Sequence, residues 1–184
     1  MQDIVFITGN QNKADFLAKH LGRPVEHRKL DLDEIQSLDP HTVVEHKVRQ
    51  AYALVQQPVL VEDVSLVFTA LGSLPGPFIK WFVESLGLPG LAKLANTLAN
   101  QTAAATVCYA FCDGGEHVHF IESTMHGTIA PEPRGSGGFG FDAIFINDGF
   151  SKTRGDMTEQ EYLETSYRTP AVAQLRKFLD SRGK

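Results

Sequence analysis

Apolar positions change their spacing several times along this chain, and each change predicts a new element. Ile4-Val5-Phe6-Ile7 is a continuous apolar run of strand length, closed by the turn-forming Thr8-Gly9-Asn10. From about Lys13 to Leu21 the residues Ala14, Phe16, Leu17 and Leu21 recur at helical spacing. Residues 25 to 30 predict a second strand, and Asp31 to Gln36 an acidic loop. Asp39 and Pro40 form a start signal, a side-chain cap followed by a residue whose fixed φ suits the first helical position. The helix they open runs from about His41 to Gln56, with Val44, Val48, Ala51, Leu54 and Val55 on one face. Val59-Leu60-Val61 is a third apolar run that ends on two adjacent acids, Glu62 and Asp63, which predicts a strand stopping at the lip of a sheet. Leu71 to Pro77 is dense in glycine and proline and predicts a rigid loop, followed by the aromatic segment Phe78 to Phe82.

Leu86 to Leu98 reads as a helix or helix pair, with Leu91, Leu94, Ala95 and Leu98 inward. From Ala103 the period falls to two. Residues 105 to 112 predict a strand, Asp113 to Glu116 a hairpin turn, and 117 to 124 the returning partner, which Met125 to Ile129 either continue or follow as a third strand. His117 and His119 would share one solvated face of it. Pro131 to Gly140 is a loop, Asp142 to Ile146 a strand-like segment, and residues 156 to 165 are polar and partly helical. Thr169-Pro170 starts a last helix, about Ala171 to Ser181, that packs Val172, Leu175, Phe178 and Leu179. With no repeat, low-complexity tract or linker, residues 1–184 read as a single α/β domain.

Composition narrows the class. A chain of 184 residues can bury a core without disulfide or metal staples, and 42% hydrophobic with 21% charged residues suits a soluble globular protein. The net charge of -5 offers no basic footprint for duplex nucleic acid. The N-terminal apolar run is far too short for a signal peptide or a membrane span. Neither nucleic acid nor membrane is therefore an expected partner, and a cytoplasmic location is expected. Cys108 and Cys112, the two cysteines, lie in an alternating apolar stretch and read as core thiols.

Three stretches carry candidate chemistry. A strand, a Gly/Asn loop and a helix start with Lys13 in the first turn describe a phosphate cradle, because helix N-terminal amides point at an anion and a lysine adds charge; a capped helix with a surface lysine looks the same. Glu62 and Asp63 beside a shaped loop suggest a divalent-metal site, against the plainer reading of a solvated charged turn. Gly135 to Gly140 fits GxGxxG literally, yet a proline-rich loop precedes it and a strand-like segment follows, so it is not a dinucleotide fingerprint. That loop sets Phe139 and Phe141 beside Asp142, an arrangement that suits a flat hydrogen-bonding ligand such as a nucleobase, or that simply belongs to the core.

Four blocks in order, Thr8-Gly9-Asn10 with Lys13, Glu34-Ile35-Gln36, LVEDVSLVFTALGSLPGPFIKWF from Leu60 to Phe82, and Gly138-Phe139-Gly140-Phe141-Asp142, resemble the inosine triphosphate pyrophosphatase family over nearly the whole chain. The resemblance implies a long mixed, twisted sheet flanked by helices, two lobes with a nucleotide cleft between them, a homodimer and dependence on Mg2+. It implies hydrolysis of inosine and xanthosine triphosphates (ITP, dITP, XTP) to the monophosphate and pyrophosphate, cleansing the nucleotide pool. Within it Glu34, Glu62 and Asp63 would hold Mg2+, and Asp63 would orient or deprotonate the attacking water. Lys13, with the turn from Thr8 through Gly9 to Asn10, would grip the phosphates, assisted by Lys47. Phe139 and Phe141 would wall the base, Asp142 would bond its edge, and Ser166 and Arg168 would complete the pocket, an arginine favouring a 6-oxo over a 6-amino group.

The chain departs from the family pattern near this last region. Tyr162 stands where a lysine is usual, Ser166-Tyr167-Arg168 where Ser-His-Arg is, Asp142-Ala143 where Asp-Pro is, and Asp156-Met157 where Glu-Met is. Tyr167 can donate a hydrogen bond but cannot carry the histidine's charge, and Lys152 or Arg154 could replace the lysine. Two alternatives follow: a pyrophosphohydrolase with shifted base specificity, and a nucleotide sensor that does not hydrolyse. The full set of carboxylates argues against the second. A dimer interface is expected around Pro75 to Phe82.

Overall fold

A computed structural model of the chain describes residues 4–182. It is a mixed α/β fold of seven strands in one sheet, with five α-helices. Strand β1 (Val5–Ile7) leads through the Thr8–Asn10 turn into α1 (Gln11–Leu21), and β2 (Glu26–Arg28) pairs parallel to β1. Helix α2 (Pro40–Val55) starts where the sequence places it. The Asp39 carboxylate accepts from the amides of His41 and Thr42, and the helix stops at Gln56 in the left-handed region.

Strand β3 (Val59–Phe68) pairs parallel to β1 through its first three residues and antiparallel to the short β4 (Pro75–Gly76) near its end. The strand does not stop at Glu62 and Asp63, as expected; it runs ten residues and carries both acids in its interior. Val64, Leu66, Val67 and Phe68 prolong the extended backbone, and ion pairs offset the cost of placing acids there. The aromatic segment is no separate loop feature but opens α3 (Ile79–Thr97), which breaks at Gly87, where φ is 66°.

Strand β5 (Thr102–Cys112) starts earlier than the alternation indicates. Met125 to Ile129 continue a single β6 (His119–Ile129), so His117 precedes that strand. His119 stacks on Phe178 with ring centroids 3.6 Å apart, rather than facing water alone. A 3-10 turn over Asp142–Ile144 precedes β7 (Phe145–Asn147), which pairs antiparallel to β6. Helix α4 (Glu159–Thr165) carries a Thr158/Glu161 capping box, and α5 (Arg168–Ser181) begins at Arg168, a little before the predicted start. Arg176 on α5 donates to the carbonyl of Leu21 at 2.8 Å, where it satisfies the end of α1.

The sheet order is β2-β1-β3-β5-β6-β7, with β4 beside β3. The chain divides into two compact units. One comprises the residues up to Asp63, Val107–Ser123 and those from Arg168 on; the other comprises Val64–Thr106 and Thr124–Tyr167. In the first unit one apolar cluster brings Val5, Ile7, Val59 and Val61 together with Val44, Val48 and Ala51 of α2, and includes the buried free thiols Cys108 and Cys112. No described helix is long and apolar enough to cross a membrane.

Candidate active site

Successive residues of a strand face opposite sides of a sheet, so Glu62 and Asp63 part company. Asp63 follows Val59 and Val61 on the side covered by α2. There Lys47, from the middle of α2, reaches two carboxylates at once. Its Nζ lies 2.9 Å from Oδ1 of Asp63 and 3.2 Å from Oε1 of Glu34, which sits in the irregular segment between β2 and α2. Burial alone would depress the ammonium, but the charges of Asp63 and Glu34 outweigh it and raise the Lys47 pKa. Cys108 shares these surroundings: burial first, then the charges of Glu122, Asp63 and Asp39, push its thiol up to about 12.

Glu62 faces the other way and is fully buried. Its Oε1 accepts from Nη2 of Arg168 at 2.9 Å and lies 3.2 Å from Nζ of Lys13, and the Tyr109 hydroxyl also reaches the carboxylate. Burial works against ionisation, but Arg168 and Lys13 overcome it and hold the carboxyl at about 2. Lys13 comes from the first turn of α1, whose N-cap Asn10 accepts from the Lys13 amide at 3.3 Å. The turn itself is internally braced: the Asn10 amide donates to the Thr8 hydroxyl at 3.1 Å, and the His27 ring meets the Thr8 carbonyl at 2.8 Å. Gly9 and Asn10 are exposed in it.

In the second unit Asp142 is the hub. Its Oδ1 accepts from Nε of Arg154 at 2.8 Å; its Oδ2 accepts from the Phe139 amide at 2.8 Å and from the Tyr162 hydroxyl at 2.9 Å. Gly138 makes the approach possible: its φ is 69°, and a Cβ there would stand 2.4 Å from that same Oδ2. Arg154 is fully buried. Its guanidinium lies over the Tyr162 ring, 4.1 Å from the centroid, and Nη1 donates to Asn147 and Thr165. Nη2 is buried with no hydrogen-bond partner among the described residues. Phe141 is buried with its ring 6.3 Å from that of Phe145, Phe139 is half-buried, and Ser166 and Tyr167 are buried.

The candidate residues thus sort into separate groups. Glu34, Lys47 and Asp63 meet, as do Lys13 and Glu62, but the three expected metal carboxylates do not form one set. Arg168, expected at the base, spends its guanidinium on Glu62. Asp142, expected at the base edge, has both oxygens engaged by its own unit. Tyr162, at the position of the family's lysine, acts through Asp142. Lys152 pairs with Glu161 at 2.7 Å, which leaves Arg154 as the cation at this hub. Sequence reading passed over Tyr109 and Asn147; nothing in an apolar strand singles out a tyrosine whose hydroxyl meets a buried carboxylate.

The model describing the Ham1 family matches residues 4–178. An inosine triphosphate pyrophosphatase of Batrachochytrium dendrobatidis is 38% identical over 99% of this chain and 96% of its own length. One of Schizosaccharomyces pombe is 37% identical over 98% of this chain and 97% of its own. Among solved structures, a HAM1 protein from Coxiella burnetii superposes with a TM-score of 0.84 at 24% identity, covering 98% of this chain and all of that one. The Staphylococcus aureus Ham1 protein gives 0.78 at 22%, with the same coverage. These two share the fold.

Proposed function

This chain belongs to the Ham1 family, and on that premise we propose that it hydrolyses inosine and xanthosine triphosphates, ribo and deoxy, to the monophosphate and pyrophosphate. Removal of deaminated purines from the nucleotide pool is the role this serves. The observation that carries the reading is the convergence of Lys47, Glu34 and Asp63 on one face of β3. A triphosphate is cleaved by positioning and charge neutralisation, and this face offers both.

The donor chemistry fits Mg2+ at Glu34 and Asp63, two hard-oxygen groups already gathered around a single ammonium. It does not fit at Glu62, whose carboxylate faces the opposite side and is committed to Arg168 and Lys13. When bound, Mg2+ supplies charge for the phosphates and acidity for a water. Asp63 would orient the attacking water and take its proton as the oxygen joins the α-phosphorus and the bond between the α- and β-phosphates breaks, pyrophosphate leaving. Lys47, its ammonium stabilised by its neighbours, gives positive charge to the phosphate chain. Lys13 and the amides of the Thr8–Asn10 turn grip the phosphate tail. Glu62 and Arg168 are positioning residues that aim Lys13.

Phe139 and Phe141 wall the base and Ser166 contributes to its edge, while Asp142 shapes the loop that carries the two aromatics. A second reading, the same hydrolysis with a different base preference, is favoured by Arg154, whose Nη2 has no partner among the described residues. A homodimer and a cytoplasmic location complete the proposal; Trp81, 55% exposed within the Pro75–Phe82 stretch, supports an interface there.

A panel of ATP, GTP, CTP, UTP, ITP, XTP and their deoxy forms with Mg2+, with pyrophosphate and orthophosphate assayed separately, tests the reading. Pyrophosphate released fastest from ITP and XTP is the expected result. Fastest release from another base supports the second reading. Binding without any release identifies a sensor and overturns the hydrolase.

A further inference from the structure

Besides the Glu34–Lys47–Asp63 group, three other side chains of different chemistry converge in the first unit. They are the imidazole of His41 in the first turn of α2, the thiol of Cys108 in β5 and the carboxylate of Glu122 in β6. One ligand atom from each lies within 4.8 Å of the other two. The His41 ring nitrogen Nε2 is 2.9 Å from Oε2 of Glu122. The ring is fixed in direction as well, stacked on Phe120 at 4.7 Å and 13°. Phe120 and Glu122 are two apart on β6 and so share the face that supports it.

We propose that His41, Cys108 and Glu122 form a binding site for a borderline-soft divalent cation of the zinc class. Sulfur, nitrogen and a single oxygen are the donor set such an ion prefers, whereas Mg2+ demands an octahedron of oxygens. A tetrahedral zinc holds its ligand atoms about 2.0–2.3 Å away, which places them about 3.3–3.8 Å from one another. The His41–Glu122 separation is already below that range, and the remaining contacts close with an adjustment on the order of 1 Å. Cys108 is fully buried at the base of the group, His41 is half-buried and Glu122 is exposed. The ion therefore enters past Glu122, seats on the thiolate and leaves its fourth position to water. The proton of the Cys108 thiol goes to solvent as the metal–sulfur bond forms.

The test uses the full chain and a probe whose readout does not depend on hydrolysis. Titration with Co2+ is expected to produce a thiolate-to-cobalt charge-transfer band that saturates at one equivalent and is displaced by Zn2+ but not by Mg2+. Cys108→Ser should abolish the band, while His41→Ala and Glu122→Gln should each weaken Co2+ binding by at least ~10-fold. No band, a band that survives Cys108→Ser, or unchanged affinity in both other variants overturns the proposal. Should the Cys108 variant fail to fold, the exposed Glu122→Gln variant decides: a weakened titration supports the site and an unchanged one removes it.

Discussion

Glu62 and Asp63 are neighbours of the same chemical kind, yet the two faces of β3 make different objects of them. Glu62 is sealed: no water reaches it, two cations hold it, and its oxygens are occupied. Asp63 is only partly covered and shares one lysine with an exposed glutamate. A buried, saturated carboxylate stiffens a fold but has nothing left for a substrate; a partly exposed one that shares its cation can exchange partners during turnover. The difference teaches that two acids adjacent in sequence are not a chelating pair when the backbone between them is a strand.

The sharpest way to break that contrast is Asp63→Asn. It should lower turnover about 10²–10⁴-fold, the usual contribution of a positioned acid–base group, with the urea midpoint little changed. Undiminished Mg2+-dependent turnover in the Asp63→Asn enzyme would refute the assignment. Glu62→Gln should do the reverse in kind. It removes the buried negative charge that balances Arg168 and Lys13 and should destabilise by about 3–5 kcal/mol in chemical denaturation. The double variant Glu62→Gln/Arg168→Met should recover part of this; full additivity of the two single losses would deny the coupling.

Acid should sharpen the same comparison. The Glu62 carboxyl lies at about 2 in the fold against an ordinary 4.5, so its contribution to stability is present above 4.5 and drains away as pH falls towards 2. Denaturation midpoints measured at pH 5 and pH 3 should drop more for the native chain than for Glu62→Gln; equal drops would mean the pair is not what holds this region. Lys47→Met should have the smallest structural effect, about 1 kcal/mol, because its partners are partly hydrated, while raising KM for triphosphate more than it lowers stability. Steady-state kinetics beside a melting curve separates the two.

Much of the architecture is readable from local signals. The Asp39–Pro40 start of α2 needs only a capping oxygen and a fixed φ, both written in two residues. The period-two stretch from Ala103 is likewise visible without partners. The length of β3 is not, because acids in a strand are tolerable only if cations arrive from elsewhere, and Arg168 stands 106 residues away. Asp142 repeats the lesson at shorter range. The Gly-Phe-Gly-Phe-Asp run announces a shaped loop, but Arg154 and Tyr162, 12 and 20 residues on, turn its carboxylate inward. The helix turn that suggests phosphate chemistry for Lys13 cannot tell that the lysine neutralises Glu62.

The long span between Glu62 and Arg168 sets an order on the making of the molecule. A ribosome adding about 5–20 residues per second delivers Arg168 roughly 5–20 s after Glu62. Throughout that interval the growing chain holds an acid destined for a dry interior with only Lys13 to balance it. The unit that contains both residues is assembled from three separate segments, so its strands can align early but cannot close over Glu62 until the helix bearing Arg168 arrives. Arg168 is thus the last of these charges to be added as the chain is made.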